Sequence, residues 1–229
     1  MWGERPFIRQ MWAILRKDLQ AEWRTRQILT SMFVFAVLVV VVFNFAIGAD
    51  PALIRQVAPG VLWVALLFAT LLGLQRAMYI ESEEDCLQGI LLALHDRSAL
   101  FLAKVIGTWL YLFVISLCTL PLFSIWFRLN IAAQLGPLGL VLFLGMIGLS
   151  VLGTIFAIIA MNTRMQEVML PLLFLPVSVP LTIACVYATA DLLAGKGWGA
   201  ITDYLTLISV FDVVFFVLAM LIFDYIVEE

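Results

Sequence analysis

The sequence predicts an all-α integral membrane protein with six transmembrane helices, an ordered chain of apolar spans separated by short polar turns. Composition is the first reason. Of 229 residues, 64% are apolar and 13% charged, against about 45–50% and about 25% in a soluble domain. Mean hydropathy is +1.10. A water-soluble fold must cover its surface with polar groups, and this chain has too few. The same figures exclude disorder, collagen, coiled coil and a disulfide-stapled secreted scaffold. Charge spacing is the second reason, because charged residues mark where the chain leaves the hydrocarbon. Charge asymmetry is the third: six of the 13 Lys and Arg fall in the first 26 residues. With a net charge of only −3, the chain has no partner among nucleic acids.

About 20 apolar residues cross roughly 30 Å of hydrocarbon as a helix. Uncharged stretches of 23, 20, 23, 35 and 23 residues occupy 27–49, 56–75, 105–127, 129–163 and 168–190. A last apolar stretch carries only Asp212. The spans predicted from these stretches are about 28–48, 56–75, 105–127, 137–161, 168–190 and 204–226, making 28–229 a six-helix transmembrane domain. The first apolar run is too long, and too deep in the sequence, for a cleaved signal peptide, so it reads as a retained helix. With the N-terminus cytoplasmic, the inner segments hold ten Lys and Arg and the outer loops three, Arg55, Arg128 and Lys196. That places both termini in the cytoplasm of a multi-pass protein.

Residues 1–27 form a different element. Ile8, Met11, Trp12, Leu15, Leu19 and Trp23 recur at helical spacing, with Arg9, Arg16, Lys17, Gln20 and Arg24 opposite. A basic amphipathic helix edged with tryptophan lies in the membrane interface, and Trp12, Arg16, Lys17 and Trp23 are its interfacial residues. A cytosolic helix packed on a partner protein fits the pattern equally.

The one sizeable polar connection on the inner side runs from Arg76 to Lys104. Glu81, Glu83, Glu84 and Asp85 precede an apolar helical run, where they suit the positive end of a helix dipole. Leu87, Leu91 and Leu94 share one face, and Asp96 or Ser98 can cap the next helix. A short surface helix is expected here, its leucines covered by lipid headgroups, by the bundle itself, or by a socket on a cytosolic partner.

No catalytic set accompanies these elements. There is no GxxxxGK[ST] loop, no HExxH and no paired intramembrane carboxylate. Cys86, Cys118 and Cys185 are far apart and read as reduced packing residues, with no metal site. The single histidine, His95, reads as a solvated loop residue, and the scattered methionines as packing. Within the membrane, Asp212 is a lining or gating residue or a hydrogen-bonded one. Pro171, Pro176 and Pro180 interrupt span five, as a hinge or through packing. Gly145, Gly148, Ser150, Gly153 and Thr154 in span four allow close helix approach.

Five stretches stand out in order: Ala58-Pro-Gly-Val-Leu-Trp-Val-Ala running to Leu74-Gln-Arg, Glu83-Glu-Asp-Cys-Leu-Gln-Gly-Ile-Leu-Leu-Ala, Asp96-Arg-Ser-Ala-Leu-Phe-Leu-Ala-Lys, Thr163-Arg-Met-Gln-Glu-Val-Met-Leu-Pro, and Phe211-Asp-Val-Val-Phe with the Glu228-Glu229 end. Together they resemble the CcmB family, the membrane subunit of the haem exporter of cytochrome c maturation. The resemblance implies an ABC-2-type permease whose surface helix between spans two and three is a coupling helix. It assigns the ATPase-coupling role to Glu83, Glu84, Asp85, Leu87, Gln88, Gly89, Leu91, Leu92, Asp96 and Arg97. It implies a cytosolic CcmA-like ATPase, CcmC-like and CcmD-like membrane subunits, and indirectly a CcmE-like haem chaperone in the bacterial inner membrane. A second copy of the chain is an alternative permease partner. Haem is then a substrate, ATP is used only through the partner subunit, and no cofactor is held covalently. A permease for a lipid, polysaccharide or drug, and a non-transporting scaffold of the maturation complex, are the competing readings.

Overall fold

The computed structural model describes all residues except 1–4, 49, 84–97, 130, 162, 164 and 227–229. The described residues form helices α1 (Arg5–Thr25), α2 (Gln27–Ile47), α3 (Pro51–Glu83), α4 (Ser98–Trp126), α5 (Leu135–Met161), α6 (Gln166–Leu193) and α7 (Trp198–Ile226), with a 3₁₀ turn at Ala132–Gln134. Six of them, α2 to α7, are long and apolar enough to cross a membrane, and the chain is a multi-pass membrane protein.

Two helices outrun the spans expected from charge spacing. α3 begins at Pro51, where Asp50 Oδ1 accepts the Ala52 N–H at 2.9 Å. An aspartate cap followed by proline in the first turn is a strong start signal. Arg55, within that first stretch, did not end the helix, because a long cation at a span's edge extends its head to water. At 33 residues, α3 is about 50 Å long at 1.5 Å per residue, longer than the hydrocarbon is thick. α4 likewise begins at Ser98, before Lys104. That lysine stays inside the helix because Asp18 of α1 meets it at 2.8 Å.

α5 is the hub. Of its most apolar 18 residues 72% are buried, compared with 28% for α2 and 17% for α7, which ring the bundle and turn apolar faces outward. Small residues let neighbours approach α5 closely. A Cβ on Gly145 would stand 2.7 Å from Trp63 Cζ3 and 2.8 Å from Cys185 Sγ. One on Gly148 would meet the Asp212 carboxylate and Leu181, and one on Gly153 would meet Leu74. So α3, α6 and α7 all press on one stripe of α5, where the sequence expected close approach. Trp63, wholly buried, also donates its indole N–H to Thr189 Oγ1 at 2.9 Å, tying α3 to α6.

α4 ends in a Schellman turn. The Leu129 N–H reaches Ser124 O at 3.0 Å and the Arg128 N–H reaches Ile125 O at 3.3 Å. The residue between helix and exit must then be left-handed. Arg128 holds that place with φ 52°, where glycine is usual, at a cost of roughly 1–2 kcal/mol. At the end of α6 the same role falls to Gly195, φ 78°, and Lys196 closes the turn on Asp191 at 2.7 Å.

Candidate functional site

The end of the bundle that carries α1 is built as a brace around the base of α3 and α4. α1 and α2 are separated by one residue, Arg26, in the left-handed region at φ 53°. This folds α1 sharply back from the start of α2. Its packed side is Met11, Ile14, Leu15, Asp18 and Glu22, spaced by three or four residues along one helical face. Ile14 and Leu15 join a second core with Leu100, Phe101, Val151, Ile155 and Phe223, drawn from α4, α5 and α7.

The two acids on that face fix α1 to two spans. Glu22, only 3% exposed, accepts the N–H of Leu29 at 2.9 Å and of Ile28 at 3.2 Å. Arg26 occupies the cap position of α2 and has no side-chain oxygen to offer. The carboxylate therefore caps α2 from the preceding helix, where the dipole favours negative charge. Asp18 meets Lys104 of α4 at 2.8 Å and Lys17 at 3.3 Å. Glu22→Ala strands two backbone donors, one buried and one part-buried, and its expected cost is about 1–2 kcal/mol. A lower melting temperature in detergent, with a smaller drop for Glu22→Gln, checks this.

A pattern of one apolar and one basic face does not single out these acids. The signal was there: Asp18 and Glu22 stand one turn apart on the Ile14 side. The interfacial residues fall on the opposite side. Trp12 is 61% and Trp23 77% exposed, Arg16 and Lys17 are exposed, and Arg26 stands 5.9 Å over the Trp23 ring.

α3 and α4 converge on the same end. Gln75 of α3 donates to Glu167 O of α6 at 3.1 Å, and Arg76 donates to Gln27 Oε1 of α2 at 2.7 Å. Ser31, Leu72, Gln75, Arg76, Tyr79 and Glu167 line a cavity of about 290 Å³ there. Of the residues expected to couple, Glu84, Asp85, Leu87, Gln88, Gly89, Leu91, Leu92, Asp96 and Arg97 lie outside the described residues, as does His95. Glu83 ends α3. α4 contacts α1 through Lys104–Asp18, and α3 meets α5 through Leu74 and Trp63 and α6 through the Trp63–Thr189 bond.

The intramembrane residues separate. Asp212 is 7% exposed, and neither carboxylate oxygen has a hydrogen-bond partner among the described residues. It lies against Gly148 and Leu181. Pro171 is half-buried, and Pro176 and Pro180 turn outward, inside an α6 that continues past all three. Cys185 is buried and Cys118 exposed, both free thiols. Among the described residues no group of His, Cys, Asp and Glu could hold a metal.

A six-span helical bundle, braced at one face by an amphipathic helix, defines an integral membrane protein of the permease class. The family model for CcmB protein matches residues 9–228, so the chain belongs to the CcmB family. It is 30% identical over 171 residues to the heme exporter protein B of Pseudomonas aeruginosa, covering 74% of this chain and 76% of that one. To the heme exporter protein B of Bradyrhizobium diazoefficiens it is 28% identical over 203 residues, 88% of this chain and 91% of the other. The Rhodobacter capsulatus heme exporter protein B is 31% identical over 173 residues, with 76% and 79% covered.

Proposed function

We propose that this chain is a membrane subunit of a haem exporter for c-type cytochrome maturation, driven by ATP hydrolysis on a separate cytosolic subunit. The family match over residues 9–228 carries the reading. In it the chain sits in the bacterial inner membrane with both termini cytoplasmic, and α1 lies on the inner face. The excess of Lys and Arg at the α1 end, with Arg55, Arg128 and Lys196 at the other, supports that orientation. The connection between α3 and α4 takes the coupling role through Glu83, Glu84, Asp85, Leu87, Gln88, Gly89, Leu91, Leu92, Asp96 and Arg97, and a CcmA-like ATPase docks on it. CcmC-like and CcmD-like subunits complete the complex, which serves a CcmE-like chaperone. The outward apolar faces of α2 and α7 meet lipid and the second permease half, another copy or the CcmC-like chain.

Closure of two ATPase subunits displaces 84–97. The bases of α3 and α4 move with it, and the Lys104–Asp18 and Glu22–α2 contacts carry α1 and α2 along. Haem is substrate, and this chain holds neither ATP nor a covalent cofactor. Vesicles containing the intact complex are expected to release haem to an external chaperone only with hydrolysable ATP. ATP turnover with no haem movement would leave the chain a scaffold, and movement of a lipid instead would replace the substrate.

A further inference from the structure

At the end of the bundle away from α1, the tips of α2, α3 and α4 enclose a cavity of about 510 Å³. Asn44, Phe45, Ile54, Arg55, Trp126 and Arg128 line it. Its volume lies in the range of small-molecule sites. Asn44 donates its amide N–H to Trp126 O at 2.8 Å, joining the tips of α2 and α4 beside the cavity. Arg55 and Arg128 both line this space, and neither side chain has an ion-pair or hydrogen-bond partner among the described residues. The nearest acid in sequence, Asp50, is engaged with the Ala52 N–H. Arg128 reaches the cavity from a left-handed turn position, φ 52°, that favours glycine. Strain of this kind points to a residue kept for what its side chain does.

Guanidinium groups bind carboxylate and phosphate oxygens in pairs of parallel hydrogen bonds. Here Arg55 and Arg128 share one lining with Trp126, Phe45 and Ile54, at the ends of α2, α3 and α4. We propose that this cavity binds the acidic head of an amphiphile, its carboxylate or phosphate held by Arg55 and Arg128 and its apolar body laid on Phe45, Ile54 and Trp126. The amphiphile is either an anionic phospholipid of that leaflet or a tetrapyrrole carrying carboxylate side chains. Only the second source rests on the haem-export reading.

The intact complex, carrying either the native chain, Arg55→Gln or Arg128→Gly, separates the possibilities. Arg128→Gly gives the turn the residue it favours, so its melting temperature is expected to hold or rise, and weaker binding in it is not misfolding. Haem and haem dimethyl ester are titrated by absorbance, and co-purified phosphatidylglycerol is counted by mass spectrometry against phosphatidylcholine. Haem binding at least tenfold weaker in both variants, and equally weak for the ester with the native chain, supports tetrapyrrole capture. Unchanged haem binding with phosphatidylglycerol lost from both variants supports a lipid head group, and leaves the export test above to stand or fall alone. Unchanged haem and unchanged phosphatidylglycerol in both variants overturn the site.

Discussion

Gly148→Leu is expected to give a chain that inserts into the membrane and fails to form a stable bundle. A Cβ at this position already meets the Asp212 carboxylate and stands 2.5 Å from Leu181 Cδ2. Overfilling a packed core by a few methylenes costs about 1–3 kcal/mol, and an isobutyl group here has α6 on one side and α7 on the other. Gly148→Ala is the graded version, expected to cost about 1 kcal/mol, at the low end of that range, because its methyl meets both the Leu181 tip and the Asp212 carboxylate. Asp212→Ala in the same chain should return part of that loss, since it removes one of the two obstructions. Asp212→Asn alone should cost little, because neither oxygen has a partner to lose. Thermal unfolding in detergent and size-exclusion profiles read all four. A Gly148→Ala protein as stable as the native one would mean that α5, α6 and α7 do not pack this closely.

Changing Glu83, Glu84 and Asp85 together to lysine is expected to abolish cytochrome c maturation and release the ATPase while leaving insertion intact. The reversal turns an acidic approach to the proposed coupling segment basic, and reversing charges at a docking surface that is complementary to a partner costs several kcal/mol. Insertion is spared for a separate reason. The loop is an inner one in the proposed orientation, and added lysines there reinforce the rule that keeps basic loops in the cytoplasm. Co-purification of the ATPase with the altered chain, alongside protease mapping of the loop, checks both halves. Normal co-purification would remove these acids from the docking surface.

Much of this was legible from sequence because the bilayer imposes a simple length requirement. Counting apolar residues between charges found each of the six spans, and the spacing of Ile8, Trp12, Leu15 and Trp23 found α1. The count failed at its edges, where a charge no longer meant an exit. Arg55 sits in α3 after an aspartate cap and a proline that the count ignored. Lys104 sits in α4 because an acid 86 residues earlier neutralises it, and pairing across that distance leaves no local trace. Asp18 and Glu22 were passed over for a similar reason: an acid on an amphipathic helix looks solvated until its partner is in view. The glycines of α5 announced close approach, yet nothing in their spacing named Asp212 and Leu181 as the groups that come near.

What the sequence determined by itself was the number of membrane-spanning helices and the family, since helix formation in lipid depends on local apolar length and on backbone hydrogen bonds closed within each segment. Which faces those helices turn to one another was decided only by tertiary packing. The placing of α5 at the centre, the capping of α2 by a residue of α1 and the pairing of Arg55 with Arg128 around one cavity all depend on contacts between distant segments. Such contacts are set by shape and charge in three dimensions, which a one-dimensional pattern does not contain.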